Sequence, residues 1–431
     1  MPIWVAKLKF KQYFIDIFRP NPNRDTVIDA VRVLSVLSVL AFHVVTSILK
    51  IGEFEGQKHF VLNMPPILQP LWHGEKGVDA FFLISATVLG ISLFSKLKSF
   101  DFSDALSFYK KRFWRIYPLF FVALVLYSAF NWSYHGKYFW SNLFLVNNLI
   151  EGQISIIPVG WSLLVEVQYY ALLPLLFLVL KKIKYKFQII LTLIALSFMC
   201  CALRLMQYPE LYMRPLTDLL LAEDRSVLLN KMGKVFYEAN STRFGAFAVG
   251  LLLAYIKVFE FHRIKFLFSR KINSVVFFTL AILCILAGSA MPVYHPDSFW
   301  YSNFNTVLHF CYLMSVRQIF AFGLMLLILG SWCSNWCVFR FLKSVSKSRI
   351  WLPISCLSYP MYLFHFPFLN VAISAVCRNV DSKQISSISF QQGFGIFCLA
   401  TLLTFIFSIP CHVFVERPLI EYGKRSDNDL I

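Results

Sequence analysis

Long apolar runs recur along the whole of this sequence, and they limit the possible fold more than any other feature. Each run is about 20 residues long, the length at which an α-helix crosses a bilayer. Of the 431 residues, 58% are hydrophobic and only 15% are charged, whereas about 25% are charged in a soluble domain. We therefore predict an all-α, polytopic membrane helix bundle with about ten transmembrane helices. These spans are predicted at residues 28–49, 77–95, 116–132, 161–180, 187–206, 244–256, 273–291, 310–332, 351–375 and 389–414.

Basic residues between the spans predict the orientation of the bundle. Lys and Arg are more numerous in every second connection, and connections of this kind face the cytoplasm. Both termini are then cytoplasmic. The same bias accounts for most of the formal net charge of +18, so the charge does not require a nucleic-acid partner. We divide the chain into a cytoplasmic or interfacial N-terminal segment (1–27), a membrane domain (28–415) and a cytoplasmic tail (416–431).

The first predicted span, "IDAVRVLSVLSVLAFHVV", contains an arginine and a histidine. Arg32 and His43 are eleven residues apart, which places them on one helix face about 16 Å apart along the axis. Ionisable groups inside a span are functional hypotheses by default. Asp29, one turn before Arg32, is placed to neutralise part of its charge.

Three titratable residues lie at similar depth near the predicted outer side. They are His43, Glu166 in the fourth span and Asp79 at the start of the second. An imidazole oriented by a carboxylate can act as a general base, because the carboxylate fixes the tautomer and stabilises the imidazolium. We predict His43 as the base, with Glu166 or Asp79 as its partner. The alternative is that these residues only join helices through polar contacts.

The predicted inner side has a basic pair in "YKKRFWRIYPLF". Arg112 and Arg115 share a helix face, and two guanidiniums side by side suit a phosphate. Ordinary anchoring by cytoplasmic basic residues is the alternative. Together with Arg32, the pair predicts a path with a cationic inner mouth and an acid–base outer site. His365 lies in the middle of the ninth span, and it fits a hydrogen-bonded core histidine as well as a site residue.

Seven short segments in order resemble acyltransferase family 3 over roughly residues 25–420. Members of this family are integral membrane enzymes that O-acylate sugars and other hydroxyl-bearing molecules. The segments are "IDAVRVLSVLSVLAFHV", "GVDAFFLISATVLG", "KRFWRIYPLF", "WSLLVEVQYYALLP", "RFGAFAVGLLLAY", "LSYPMYLFHFPF" and "FVERPL".

The resemblance assigns expected roles to individual residues. Arg32 and the RxxR pair Arg112 and Arg115 are expected to bind the acyl donor. Catalysis falls on His43, Glu166 and Asp79. Substrate contacts fall on Trp161, Ser162, Tyr359 and His365. The sequence departs from the family where Ser85-Ala86 replaces the usual Ser-Gly, and a tight helix contact or a close cofactor approach at that point is expected to be loosened.

The resemblance also implies a reaction. An O-acetyltransferase of this kind takes an acyl group, expected to be acetyl, from acyl-CoA on the cytoplasmic side, without a metal. The acceptor is a hydroxyl of a surface or lipid-linked glycan, such as lipopolysaccharide O-antigen, at the bacterial inner membrane. Direct attack and a histidine-linked acyl-enzyme both stay open. A lipid-linked glycan flippase or transporter is the alternative function, since it also places charges on an internal path; a structural or sensing protein is a third.

Overall fold

A computed structural model describes residues 3–19, 24–51, 71, 73–150, 152–215, 218, 222, 225–289, 299–377 and 390–428. These residues are mostly helical, and no strand occurs among them. The α-helices are α1 (Ile3–Phe18), α2 (Thr26–Ile51), α3 (Lys76–Ser95), α4 (Phe102–Phe130), α5 (Trp132–His135), α6 (Phe139–Leu143), α7 (Gly160–Leu180), α8 (Lys186–Met206), α9 (Arg225–Met232), α10 (Asn240–Tyr255), α11 (Phe261–Leu267), α12 (Lys271–Ser289), α13 (Phe299–Ser302), α14 (Thr306–Cys333), α15 (Cys337–Ser346), α16 (Trp351–Val376), α17 (Phe390–Pro410) and α18 (Arg417–Asn428). Two 3₁₀ turns, Gly136–Tyr138 and Pro209–Leu211, and three π-helical turns, Gly233–Tyr237, Ile256–Glu260 and Cys411–Glu416, join or extend them.

Nine helical stretches in the described part of the chain are long and apolar enough to cross a membrane. The helix α16 is not one of the nine, because its Pro, Tyr and His residues lower its hydropathy. Its 26 residues nevertheless span about 39 Å, enough for a bilayer. The prediction of a polytopic helical bundle is confirmed, and the chain is a multi-pass membrane protein. The sidedness of the termini stays a prediction, and the predicted span ends at 291 and 389 lie outside the described residues.

Two spans are longer than the sequence predicted. The predicted span 244–256 is part of a helical stretch of 35 residues, Gly233–Leu267, because the π turn Ile256–Glu260 continues the helix past Lys257. The predicted span 116–132 belongs to α4, which begins at Phe102. A capping box formed by Asp101 and Asp104 starts α4, and hydropathy alone does not detect such a start.

The centre of the bundle is α3, which packs against α2 and α10. A Cβ at Gly250 of α10 would lie 2.4 Å from the carbonyl oxygen of Leu83 and 2.7 Å from the Cβ of Ala86. Only glycine allows α10 to approach α3 this closely. The expected loosening of a helix contact at Ala86 is therefore wrong, because the small residue that the contact requires lies on the partner helix. The alternative, a looser approach of a cofactor, stays a prediction.

The two ends of the described chain pack against each other, and α18 also packs against α4. The Trp114 ring of α4 contacts Tyr422 of α18, with ring centroids 4.9 Å apart. The Tyr13 hydroxyl of α1 donates a 2.8 Å hydrogen bond to Glu421 of α18. The segment predicted as a tail is thus helical as far as Asn428, and it packs against α1 and α4 through Glu421 and Tyr422. The helix α16 packs against both α2 and α17.

Candidate active site

A cavity of about 870 Å³ lies among α2, α3, α4, α7, α16 and the two terminal helices. Its volume is in the range of pockets that hold small molecules and cofactors. Basic side chains in its wall outnumber the acidic ones, Asp16, Glu166 and Glu416. The basic ones are Arg19, Arg24, Arg32, Lys111, Arg112, Arg115, Arg417 and Lys424. Such a wall attracts a ligand with several negative charges.

Asp29 positions two of these guanidiniums. Its Oδ1 atom lies 3.0 Å from Nη1 of Arg32 and 2.7 Å from Nη2 of Arg24. It also accepts a 2.8 Å hydrogen bond from the hydroxyl of Ser355 on α16. The expected pairing of Asp29 with Arg32 is confirmed. The second arginine, Arg24, precedes the first span. From the sequence alone, its charge contributed only to the predicted orientation of the bundle.

The predicted donor-binding arginines come together although they belong to different helices. Arg32 of α2 and the pair Arg112 and Arg115 of α4 line the same cavity. Arg115 is within electrostatic range of both Arg32 and Arg112. Because like charges held this close repel one another, the cluster is favourable when an anion lies between them. A phosphate group meets this requirement with matching geometry.

Glu166 lies in the wall of this cavity. It accepts a hydrogen bond from the Tyr170 hydroxyl, which lies 2.5 Å from the hydroxyl of Ser85. Its carboxylate is also within electrostatic range of Arg112. Among the described residues, the contacts of Glu166 do not include His43. A catalytic role for Glu166 stays a prediction, and its surroundings connect it to the basic cluster.

His43 has a different partner from the carboxylates expected. Its Nδ1 lies 2.8 Å from Nε2 of His365, and the two ring planes are nearly parallel, with 17° between them and centroids 4.9 Å apart. His365 Nδ1 lies 2.8 Å from the carbonyl oxygen of Tyr362. A carbonyl only accepts, so His365 Nδ1 carries the proton and its Nε2 accepts from His43 Nδ1. In this neutral pair the lone pair of His43 is on Nε2, and this is the nitrogen that a general base uses.

Ser162 and Tyr362 connect this histidine pair to α7. The Ser162 hydroxyl donates to the carbonyl of Val159 at 2.9 Å, so it accepts the hydrogen bond from Tyr362 at 2.6 Å. Tyr362 thus binds Ser162 through its side chain and His365 through its backbone. The predicted substrate-contact residue Ser162 therefore also helps to position His365.

Trp161 and Tyr359, the other predicted substrate contacts, lie in different surroundings. The Tyr359 hydroxyl lines the cavity and donates a 2.8 Å hydrogen bond to the carbonyl of Ile116. The Trp161 ring lies under the guanidinium of Arg243, with 4.9 Å from the centroid to Cζ. Their roles toward a substrate stay predictions.

Asp79 forms a sealed ion pair with Arg243. The Nη1 atom of Arg243 lies 2.9 Å from Oδ1 of Asp79, and both side chains are 0% exposed. Beside this pair, Lys76 lies 2.6 Å from Glu75. Burial alone would raise the pKa of the Glu75 carboxyl, but the interactions with Lys76, His73 and Arg243 together outweigh it, so the net shift of the pKa is downward. The partner of Asp79 among the described residues is thus Arg243 and not His43; sequence analysis missed Arg243 because it stands at a predicted span boundary.

A comparison with known protein families covers nearly the whole membrane domain. A family model described as an acyltransferase domain matches residues 25–413. The comparisons with curated proteins and with solved structures found no match. In the part of the chain that is described, no three His, Cys, Asp or Glu side chains are grouped so that they could hold a metal ion. The family match includes the His43–His365 pair and four of the eight basic residues of the cavity wall, and it leaves out α1 and α18.

Proposed function

Because the chain belongs to acyltransferase family 3, we propose that it transfers an acyl group from acyl-CoA to a hydroxyl of a glycan. The acyl group is acetyl, and the acceptor is a lipid-linked or surface glycan such as lipopolysaccharide O-antigen at the bacterial inner membrane. The family supports an acyltransferase. The identity of the acyl donor, of the acceptor and of the membrane in which the protein lies is our proposal. The observation that carries it is the shared helix α2, which presents Arg32 to a basic cavity and His43 to His365.

The spacing along the helices matches the shape of an acyl-CoA. From Arg32 to His43 the helix rises about 16 Å, and from Ser355 to His365 on the neighbouring α16 about 15 Å. The extended pantetheine arm of CoA spans a comparable distance between its diphosphate and its sulfur. With the diphosphate at Arg32, Arg112 and Arg115, the thioester therefore reaches the histidine pair.

The histidine pair then supplies the proton transfers. The acceptor hydroxyl gives its proton to Nε2 of His43 while its oxygen attacks the thioester carbonyl carbon. The hydrogen bond from His43 Nδ1 to His365 Nε2 strengthens as His43 becomes an imidazolium. When the tetrahedral intermediate collapses, the C–S bond breaks, an ester remains on the acceptor, and His43 returns the proton to the CoA thiolate. Glu166 acts from the inner wall by holding Tyr170 and balancing the charge of Arg112.

Purified protein tests the reaction directly. Acetyl-CoA and an acceptor glycan should together release free CoA thiol, and mass spectrometry should detect glycan with one constant mass increment. Membranes that carry His43→Ala protein at equal abundance provide the matched control and should lack the increment. Thiol release that requires no acceptor would indicate hydrolysis or an acyl-enzyme. Glycan movement across vesicles without thiol release would contradict the proposal and favour a flippase.

A further inference from the structure

The N- and C-terminal helices form part of the wall of the basic cavity, although both lie outside the residues that the family model matches. They are joined to each other by the hydrogen bond from Tyr13 to Glu421 and by a 3.7 Å ion pair between Arg417 and Asp16. The rings of Phe10 and Phe414 add an edge contact at 5.0 Å. The two ends of the chain thus make one structural unit at the cavity.

Two cations of this unit, Arg19 and Lys424, are exposed, whereas Arg24, Arg32 and Arg112 are partly buried. On α4, Lys111 and Arg115 of the cavity wall are exposed as well. Since Arg19 and Lys424 also line the cavity, they lie at its mouth. The guanidinium of Arg417 stands between the two groups: it is partly buried, and its Nε–H has no hydrogen-bond acceptor among the described residues. A buried donor without an acceptor is costly, and a bound anion would supply one.

We propose that Arg19, Arg417 and Lys424 bind the 3′-phosphate of the donor nucleotide; this assignment rests on acyl-CoA being the donor. With the pantetheine arm directed toward His43 and the diphosphate at the inner arginines, the phosphorylated adenosine lies toward the mouth of the cavity. A phosphate monoester carries about −1.5 to −2 charges at neutral pH. It is therefore the part of the donor that gains most from exposed cations supplied by two helices.

Binding of CoA and of 3′-dephospho-CoA to the purified full-length protein tests this assignment. The wild-type protein should bind CoA about tenfold more tightly, the effect of roughly one charge-assisted contact. The double variant Arg19→Ala/Lys424→Ala should lose this preference by weakening CoA binding alone, with dephospho-CoA binding within about twofold of wild type. Both side chains are exposed, so the variant should fold. The exposed Lys98, which does not line the cavity, gives the matched control Lys98→Ala.

The outcomes separate this assignment from the proposed function. Equal loss of affinity for both nucleotides, or no loss, would overturn the 3′-phosphate assignment and leave acyl-CoA as the donor. Failure of wild-type protein to bind either nucleotide would overturn the donor as well. Nanodiscs of neutral and of anionic lipid distinguish a lipid headgroup as the source of the phosphate. If the double variant loses bound anionic lipid and keeps its preference for CoA, the mouth binds membrane lipid and the assignment fails.

Discussion

Two arginine–aspartate pairs inside this bundle have nearly the same geometry and very different surroundings. Arg32 lies 3.0 Å from Asp29 and is 21% exposed at a cavity wall. Arg243 lies 2.9 Å from Asp79, and neither side chain is exposed. In the first pair a second arginine, Arg24, shares the carboxylate, so positive charge is left over. In the second pair the aromatic rings of Trp161 and Tyr237 cover the guanidinium.

The difference shows that an intramembrane charge is not by itself evidence for a ligand site. A sealed pair has lost its water, and removal of one partner leaves an uncompensated charge. A pair with surplus charge beside a cavity can exchange water for an anion. We therefore place the chemistry on the helix of Arg32 and assign the Asp79–Arg243 pair to the stability of the bundle.

The largest expected effect follows from His43, which shares a helix with Arg32. His43→Ala should lower turnover by about 10²–10⁴-fold, the usual contribution of a general base. Binding of CoA should be unchanged, since the phosphate end lies about 16 Å away. Single-turnover assays and CoA titration of the same preparation measure both. Near-full turnover with normal CoA binding would place the base elsewhere, with His365 as the next candidate. If the variant loses CoA binding as well, His43→Gln, which keeps more of the side-chain volume, repeats the measurement.

The buried pair Asp79–Arg243 should contribute to the free energy of unfolding. Asp79→Asn leaves Arg243 buried without its counter-charge and should lower the free energy of unfolding by about 3–5 kcal/mol. Thermal unfolding in detergent measures the loss. The matched control is Glu260→Gln, the same carboxylate-to-amide change in an ion pair whose arginine is 84% exposed, and it should cost less than about 1 kcal/mol. Wild-type stability of Asp79→Asn with lost turnover would move Asp79 into the chemistry.

The two arginines of α4 that line the cavity, Arg112 and Arg115, should affect the affinity for the acyl donor. Arg112→Ala and Arg115→Ala should each raise the apparent KM for acyl-CoA by about tenfold and leave the acceptor KM nearly unchanged. Lysine should rescue only partly, because it lacks the planar fork of the guanidinium. Lys110→Ala, on the same helix and outside the cavity lining, controls for the loss of a basic residue. An unchanged donor KM in correctly inserted protein would leave both arginines as topological anchors.

The smallest effect is expected at Glu166. Glu166→Gln keeps the side-chain size and a hydrogen-bond acceptor for Tyr170, so turnover should fall only a few-fold. Tyr170→Phe, which removes the hydroxyl from the same contact, should have an effect of similar size. Steady-state rates at saturating acyl-CoA measure both. A loss at Glu166→Gln as large as that at His43→Ala would show that the carboxylate takes part in the proton transfer.

Sequence periodicity was sufficient for features that lie on one helix. It placed Arg32 and His43 on the same face, and it paired Asp29 with Arg32, three residues apart in the chain. Apolar runs also gave the bundle and most of its spans. These features depend on the helical repeat and on local hydropathy, and both can be read from a short window.

The partners of His43 and Asp79 required the tertiary structure. His43 meets His365 across 322 residues of chain, and Asp79 meets Arg243 across 164. No local pattern fixes which helix packs beside which, so a carboxylate at matching depth was the natural but incorrect choice of contact. The basic residues of the terminal helices were missed for another reason: the orientation rule accounted for their charge, although "FVERPL" already contained Arg417.

Under the proposed mechanism, the spacing from Arg32 to His43 makes the enzyme select its acyl donor by length. In acetyl phosphate the reactive carbonyl is joined directly to the phosphate, so one molecule cannot occupy both ends of a path about 16 Å long. Such a donor should be inert here even though its acyl group is activated. A carrier protein with a phosphopantetheine arm has the same reach as CoA, so length alone admits it. What excludes or accepts so large a donor is then the width of the cavity mouth, where the two joined terminal helices form part of the wall.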